Sequence, residues 1–270
     1  MSSRFRRAVA ASALLALAAP VAAEEPAVLR VCADPDNLPY SRSDGSGFEN
    51  RIAELLAAQM HARLEYAWMP LRRGFVRKTL GAGLCDVVVG VPAGFERVTT
   101  TRPYYRSSYV FVTRGATGVR SFDDPRLTKV RIGVQLIGND LAATPPGYAL
   151  ASRGATANVT GFTIFGDGPA AERLVRAVAE GRLDVGLVWG PQAGYFAARA
   201  RPPLALVKAA PPPELAGLPF EFSIAMGVRR GNTALRDALD AALDRARPRI
   251  EAILDAYAVP RSPLPAGGAR

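Results

Sequence analysis

Histidine occurs once in the 270 residues, at His61. A histidine-rich metal centre is excluded, and any Ser-His-Asp triad would have to use that one imidazole. It stands at the polar end of a predicted helix, where a solvated surface histidine is the ordinary outcome. Cysteine is nearly as scarce. Cys32 and Cys85 are the whole supply, and with His61 they lack zinc-ligand spacing. An oxidising compartment permits a disulfide between them. Their expected places, mid-strand and at a strand start on neighbouring parallel strands, leave open whether the Cα separation allows it. No G-x-S-x-G and no Walker A motif occurs. Gly166–Ala171 fits G-x-G-x-x-A, but it lies deep in the chain and contains Pro169, so it reads as a turn opening a helix. Beyond residue 23 no apolar run is long enough to span a bilayer.

What is present starts with an address. Arg4, Arg6 and Arg7 precede the apolar run AVAASALLALAAPVAA, which ends in small residues before Glu24-Glu25-Pro26. This pattern predicts a cleavable signal peptide over residues 1–23 and hence a periplasmic, exported protein. Removing it takes away three arginines and no acid, so the formal charge falls from +10 to +7. A basic exported protein suits an acidic partner or an anionic surface. Nucleic acid is not expected as a partner, because no recognised binding motif occurs and the 34 Lys and Arg are spread along the chain. Hydrophobic residues at 49% and charged ones at 21% describe an ordinary globular composition.

The pattern along the chain is α/β. LRVCAD reads as a buried strand, and Phe48, Ile52, Leu55, Leu56 and Met60 recur at helical spacing. RLEYAW, a short helix in RRGFVRKTLGAG, and CDVVVGVP follow. Continuous apolar strands alternating with helices argue a parallel sheet. After the aromatic strand PYYRSSYVFVTRG the pattern restarts with KVRIGVQLIG, VTGFTIFG, the amphipathic PAAERLVRAVAEG and DVGLVWG. LGAGLCDVVVGVP and AEGRLDVGLVWGP share a plan of helix end, Gly, Asp, buried strand, Gly and Pro, which suggests two similarly built halves. FEFSIAMGV predicts a returning strand. Two helices are expected near 231–246 and 248–257, with Asn232 as N-cap and RSPLPAGGAR as a frayed tail.

These segments, LRVCADPDNLPYS, GFENRIAELLA and CDVVVGVPAGFERVTTTRPYYRSSYVFV above all, resemble the extracellular solute-binding protein family 3. The resemblance covers roughly residues 28–260. It implies the type II periplasmic binding protein fold: two α/β lobes with mixed sheets, joined by two hinge strands. Lobe 1 would comprise residues 28–113 and 221–262, and lobe 2 the inserted segment 116–218, with 263–270 as tail. Hinges would fall near Thr113–Arg114 and Phe220–Phe222. RRGFVR, RPYYRSSYVFV, IGVQLIGNDLAATPPGYALASRG and DVGLVWGPQAGYFA further resemble the quinoprotein dehydrogenase-associated branch, the MxaJ/XoxJ-like accessory proteins of methanol oxidation.

The resemblance implies a ligand or partner cleft walled by Asp34, Asn37, Tyr40, Trp68, Arg73, Arg97, Gln135, Asn139, Trp189 and Gln192. Arg97 stands at the spacing of the arginine that clamps an amino acid's carboxylate in this family; the competing reading, a solvated surface arginine, is preferred because Phe95 and Glu96 can turn the loop differently here. Where the family carries an acid for the ammonium, this chain has Trp189 or Gly190. Asp140 would repel an anion from the lobe 2 turn. Tight binding of standard amino acids is therefore not expected. The resemblance implies a non-catalytic periplasmic accessory factor of a PQQ-dependent methanol or alcohol dehydrogenase, acting in its activation, maturation or docking. It would have no cofactor or metal of its own. The alternative is a transporter-linked receptor for a small polar solute or carboxylic acid.

Overall fold

The computed structural model describes residues 27–115, 118–137, 142–163 and 168–265. The predicted signal segment, Asn139 and the end of the tail lie outside them. The first lobe opens with β1 (Val28–Ala33), the small hairpin β2 (Asp36–Asn37) and β3 (Ser41–Arg42), and α1 (Phe48–Gln59). β4 (Arg63–Trp68), α2 (Phe75–Lys78), β5 (Val87–Pro92) and β6 (Thr99–Thr100) follow. β7 (Tyr105–Arg114) leads into the second lobe, built from β8 (Ile132–Ile137), β9 (Ala142–Ala143), α3 (Pro145–Ser152), β10 (Val159–Phe162), α4 (Ala170–Ala179), β11 (Val185–Trp189), α5 (Gly190–Arg199) and β12 (Leu204–Lys208). β13 (Glu221–Val228) returns, and α6 (Thr233–Ala256) completes the first lobe.

Each lobe places a strand between two parallel neighbours. β1 lies between β4 and β5, with Val28 opposite Arg63 and Val31 opposite Val87. β8 lies between β10 and β11, with Ile132 opposite both Val159 and Val185. Parallel strands need crossover helices, and these bury apolar stripes against the sheet. α1 buries Phe48, Ile52, Leu55 and Leu56, and α4 buries Leu174, Val175 and Val178. The path through both lobes is continuous, in the order β10-β8-β11-β7-β13-β5-β1-β4.

β7 and β13 make that continuity. β7 pairs antiparallel with β13 from Tyr105 to Ser108, then with β11 from Tyr109 to Thr113. The change of partner therefore falls at Ser108–Tyr109, earlier than the expected Thr113–Arg114. Tyr109–Thr113 are already buried between β11 and β12, in the second lobe's core.

Two sequence expectations at the C-terminus are corrected. Residues 233–256 form one helix with Pro248 inside it. Proline removes one N–H from the ladder. The buried stripe Leu239, Leu243, Ala246, Ile250 and Leu254 runs through it unbroken and holds the helix to its core. Asn232 does cap it, its Oδ1 accepting from Leu235 N–H at 3.2 Å. Ser262, expected within the frayed tail, is held in place: its N–H donates to the Arg106 carbonyl at 2.9 Å. No helix among the described residues is long and apolar enough to cross a membrane.

Candidate functional site

Between the lobes lies a cavity of about 500 Å³. Its lobe 1 wall is the end of β1, the β2–β3 loop, the start of α1 and β5. Its lobe 2 wall is the ends of β8 and β11 and the start of α5. Tyr105, Tyr109, Phe222 and Ile224 of the two crossing strands supply the rest. Trp189 rests edge-on against Tyr109 at 5.3 Å and Phe222 at 5.6 Å between ring centroids, and packs on the cores of both lobes. The lining is aromatic and aliphatic with few polar groups, the usual make-up of a binding pocket.

Two acids reach the cavity. Asp34 is already engaged: its Oδ1 accepts from Asp36 N–H at 2.8 Å and its Oδ2 from Leu71 N–H. Glu49 is different. It sits in the first turn of α1, where a negative group suits the helix dipole. Its side chain has no hydrogen-bond or ion-pair partner among the described residues, and burial pushes its carboxyl up to about 8, so it is protonated at neutral pH. Tyr40, Tyr104 and Tyr105 surround it, and burial raises each phenol well above its ordinary value. The Trp189 side chain, facing Tyr40 from the other lobe, works the other way and lowers it in part.

The structure brings Asp34, Asn37, Tyr40, Trp189 and Gln192 together in the cavity lining. Gln135 stands behind them. Its Nε2 donates to Gln192 Oε1 at 3.0 Å, and its Oε1 accepts from Trp189 N–H at 3.3 Å. An amide thus occupies the start of α5, where backbone N–H groups could otherwise receive an anion. Trp68 lies outside the cavity lining, stacked on Tyr66 at 4.5 Å, on the strand face that meets α1.

Arg73 and Arg97 also lie outside it, in a separate depression on lobe 1. Beyond β5 the chain turns: Phe95 N–H donates to the Pro92 carbonyl, and Phe95 packs on the cluster around Cys32 and Cys85. That turn carries Arg97 to the outer face beside Val76 and Arg77. Cys32 and Cys85 are bonded, with their Cα atoms 5.4 Å apart, inside the range a disulfide tolerates. The bond is buried among Phe75, Leu80, Val88 and Val98. No three His, Cys, Asp or Glu residues among those described are placed to hold a metal ion.

Sequence reasoning missed Glu49, Tyr105, Tyr109 and Phe222. Tyr105 and Tyr109 had a signal, since residues four apart in a strand share a face. Glu49 had none, because an acid at a helix start is ordinarily explained by the dipole.

The family described as bacterial extracellular solute-binding proteins, family 3, matches residues 29–258. The chain is 35% identical over 272 residues to protein MoxJ of Methylorubrum extorquens, covering 92% of this chain and 86% of that one. It is 34% identical over 268 residues to protein MoxJ of Paracoccus denitrificans, covering 94% and 96%. Among solved structures, MxaJ from Methlophaga aminisulfidivorans superposes with a TM-score of 0.75 at 28% identity, over 87% of this chain and all of that one. The periplasmic binding protein XoxJ from Methylobacterium extorquens does so with 0.73 at 33%, over 88% and all. An ancestral cationic amino acid solute-binding protein shares the fold alone, with 0.65 at 19% identity over 86% and 95%. The two lobes, the crossing strands and the cleft between them therefore have their counterpart in known proteins: this chain belongs to the bacterial extracellular solute-binding proteins, family 3, in the branch of MoxJ, MxaJ and XoxJ.

Proposed function

We propose that this protein is a non-catalytic periplasmic accessory factor of a PQQ-dependent methanol or alcohol dehydrogenase, using a binding-protein cleft to hold a segment of that partner. One observation carries the reading. Asp34 and Glu49 line the cleft, and none of the described lining residues is Arg or Lys. A free amino acid would bring a carboxylate that no cation receives, and desolvating it unpaired is costly. A polypeptide segment has no such charge, and its apolar side chains suit Tyr109, Trp189 and Phe222. The likeness to MoxJ over most of the chain supports the choice of partner. Cross-linking in intact periplasm tests it: the dehydrogenase is the expected adduct, and its absence beside another dominant adduct sinks the reading.

A receptor for a small polar solute is the second reading. Glu49 favours it, as an acid without a partner in a cavity of ligand size. The ligand would be an amine lacking a carboxylate, because Arg97 lies outside the cavity and cannot anchor an acid. Calorimetry with the twenty amino acids and with simple amines separates the two. Micromolar heat from an amine, with no dehydrogenase adduct, replaces the first reading by this one.

A further inference from the structure

The depression that holds Arg73 and Arg97 has a volume of about 670 Å³, larger than the cleft. It is lined by Arg72, Arg73, Arg77, Lys78 and Arg97 around Leu71, Phe75, Val76 and Phe95. Arg77 and Arg97 continue into an adjoining hollow with Arg229 and Arg230. None of Arg72, Arg73, Arg77, Lys78, Arg97 and Arg229 makes an ion pair among the described residues. Arg230 donates to the backbone carbonyl of Glu96, whose side chain is not part of the lining. Elsewhere the chain pairs many of its arginines: Arg30 with Asp86, Arg131 with Asp184, Arg106 with Glu221.

Like charges are held close here. Arg77 Nη2 and Lys78 Cε stand 3.6 Å and 3.7 Å from where a Cβ on Gly74 would be, so both side chains fold over the same point. Such a concentration repels itself and has no internal counter-charge. The patch also touches apolar surface, since Leu71 is 54% exposed at its edge. Leu71 and Phe75 line both this depression and the interlobe cavity, so the two hollows share a rim.

We propose that this depression is the surface on which an acidic, protruding face of the partner protein docks, with the cations steering it and Leu71 and Phe95 receiving an apolar side chain. The identity of that partner as the dehydrogenase rests on the reading above; the surface itself does not. The hollow is concave, which suits a convex polypeptide segment and not a flat bilayer. A partner seated here lies beside the cleft rim and can extend a segment across Leu71 into the cavity. Clustered uncompensated charge sets association rate and salt dependence, and an apolar centre adds lifetime to the complex.

The test uses the mature protein, its Arg73→Glu/Arg97→Glu variant and a control, Lys129→Glu/Arg249→Glu, at exposed positions away from the patch. Each is titrated by biolayer interferometry with three probes: purified PQQ-dependent methanol dehydrogenase of the same organism, a glutamate-rich peptide bearing one leucine, and phosphatidylglycerol vesicles. The expected result is dehydrogenase binding that weakens steeply with salt, at least about tenfold in the patch variant and less than about twofold in the control. Equal binding by all three proteins overturns the docking surface and leaves the dehydrogenase reading standing. Peptide binding lost in the patch variant, with no dehydrogenase binding, keeps the surface and removes that partner. Preference for vesicles over both other probes replaces a protein partner by a membrane, and silence with every probe overturns the proposal.

Discussion

Glu49 Oε1 lies 2.1 Å from where a Cβ on Gly90 would stand. The missing side chain in β5 is what lets the first turn of α1 lay a carboxyl along the cleft floor. Gly90→Ala should displace Glu49 or push the strand from the helix. The obstructing atoms are the end of a flexible side chain beside the cavity, so the cost should be about 1 kcal/mol or less, read as a slightly lowered urea midpoint with unchanged slope. Gly90→Ala combined with Glu49→Ala should recover most of that loss, because the obstructing atoms are gone.

The same carboxyl makes stability depend on pH in a stated direction. Its folded value of about 8 lies above its ordinary 4.5, so the folded state holds a proton that the unfolded chain releases. The associated stability is complete below 4.5 and is lost as pH rises through about 8. Glu49→Gln, which cannot ionise, should melt within a degree or so of wild type near pH 5. Near pH 9 it should melt higher by about 5 °C. Melting curves at both pH values check the sign, and a variant that gains nothing at alkaline pH would falsify the assignment.

The fold was legible where periodicity and sheet order spoke directly: α1 from Phe48, Ile52 and Leu56, β5 from its run of valines, the capping of α6 by Asn232. It was less legible where tertiary packing overrode a local signal. Pro248 reads as a break, yet a buried stripe on both sides holds α6 in one piece. Leu204–Lys208, inside a proline-rich stretch, become a strand because β7 offers them an edge. At the site, Asp34, Tyr40 and Trp189 were reachable from strand ends and loops. For Arg97 the residues alone leave a clamp and a surface arginine open; a turn at Phe95 decides which face it takes, and that turn is anchored on the Cys32–Cys85 cluster, which includes a residue from the first strand.

That cluster should answer to reductant. The bond closes a loop of sequence separation 53. In the chain-entropy view, closing such a loop restricts the unfolded state by about 4 kcal/mol, with native packing adding or subtracting. Dithiothreitol should lower the urea midpoint of the wild type. The Cys32→Ala/Cys85→Ala variant should start low and not respond, and an unchanged midpoint in both would remove the bond from the account of stability.

Behind the cleft, the C-terminal segment straps lobe 2 to lobe 1. Tyr257, just past α6, stacks on Tyr195 of α5 at 5.7 Å. Ser107 Oγ donates to the Pro260 carbonyl at 2.6 Å. Gly194 in α5 lets this happen, since a Cβ there would come within 1.9 Å of the Ala258 carbonyl oxygen. Any side chain at 194 must push the strap away, and the lobes lose a contact opposite the mouth of the cleft. Gly194→Leu should therefore lower the melting temperature and widen the distribution of interlobe distances, read between spin labels on Lys129 and Arg249. Both positions are exposed, one on each lobe. Cutting the chain after Tyr257 should widen the same distribution without touching any cleft residue. If distances stay fixed in both variants, the lobes are held by β7 and β13 alone and the strap has no part in how far the cleft opens.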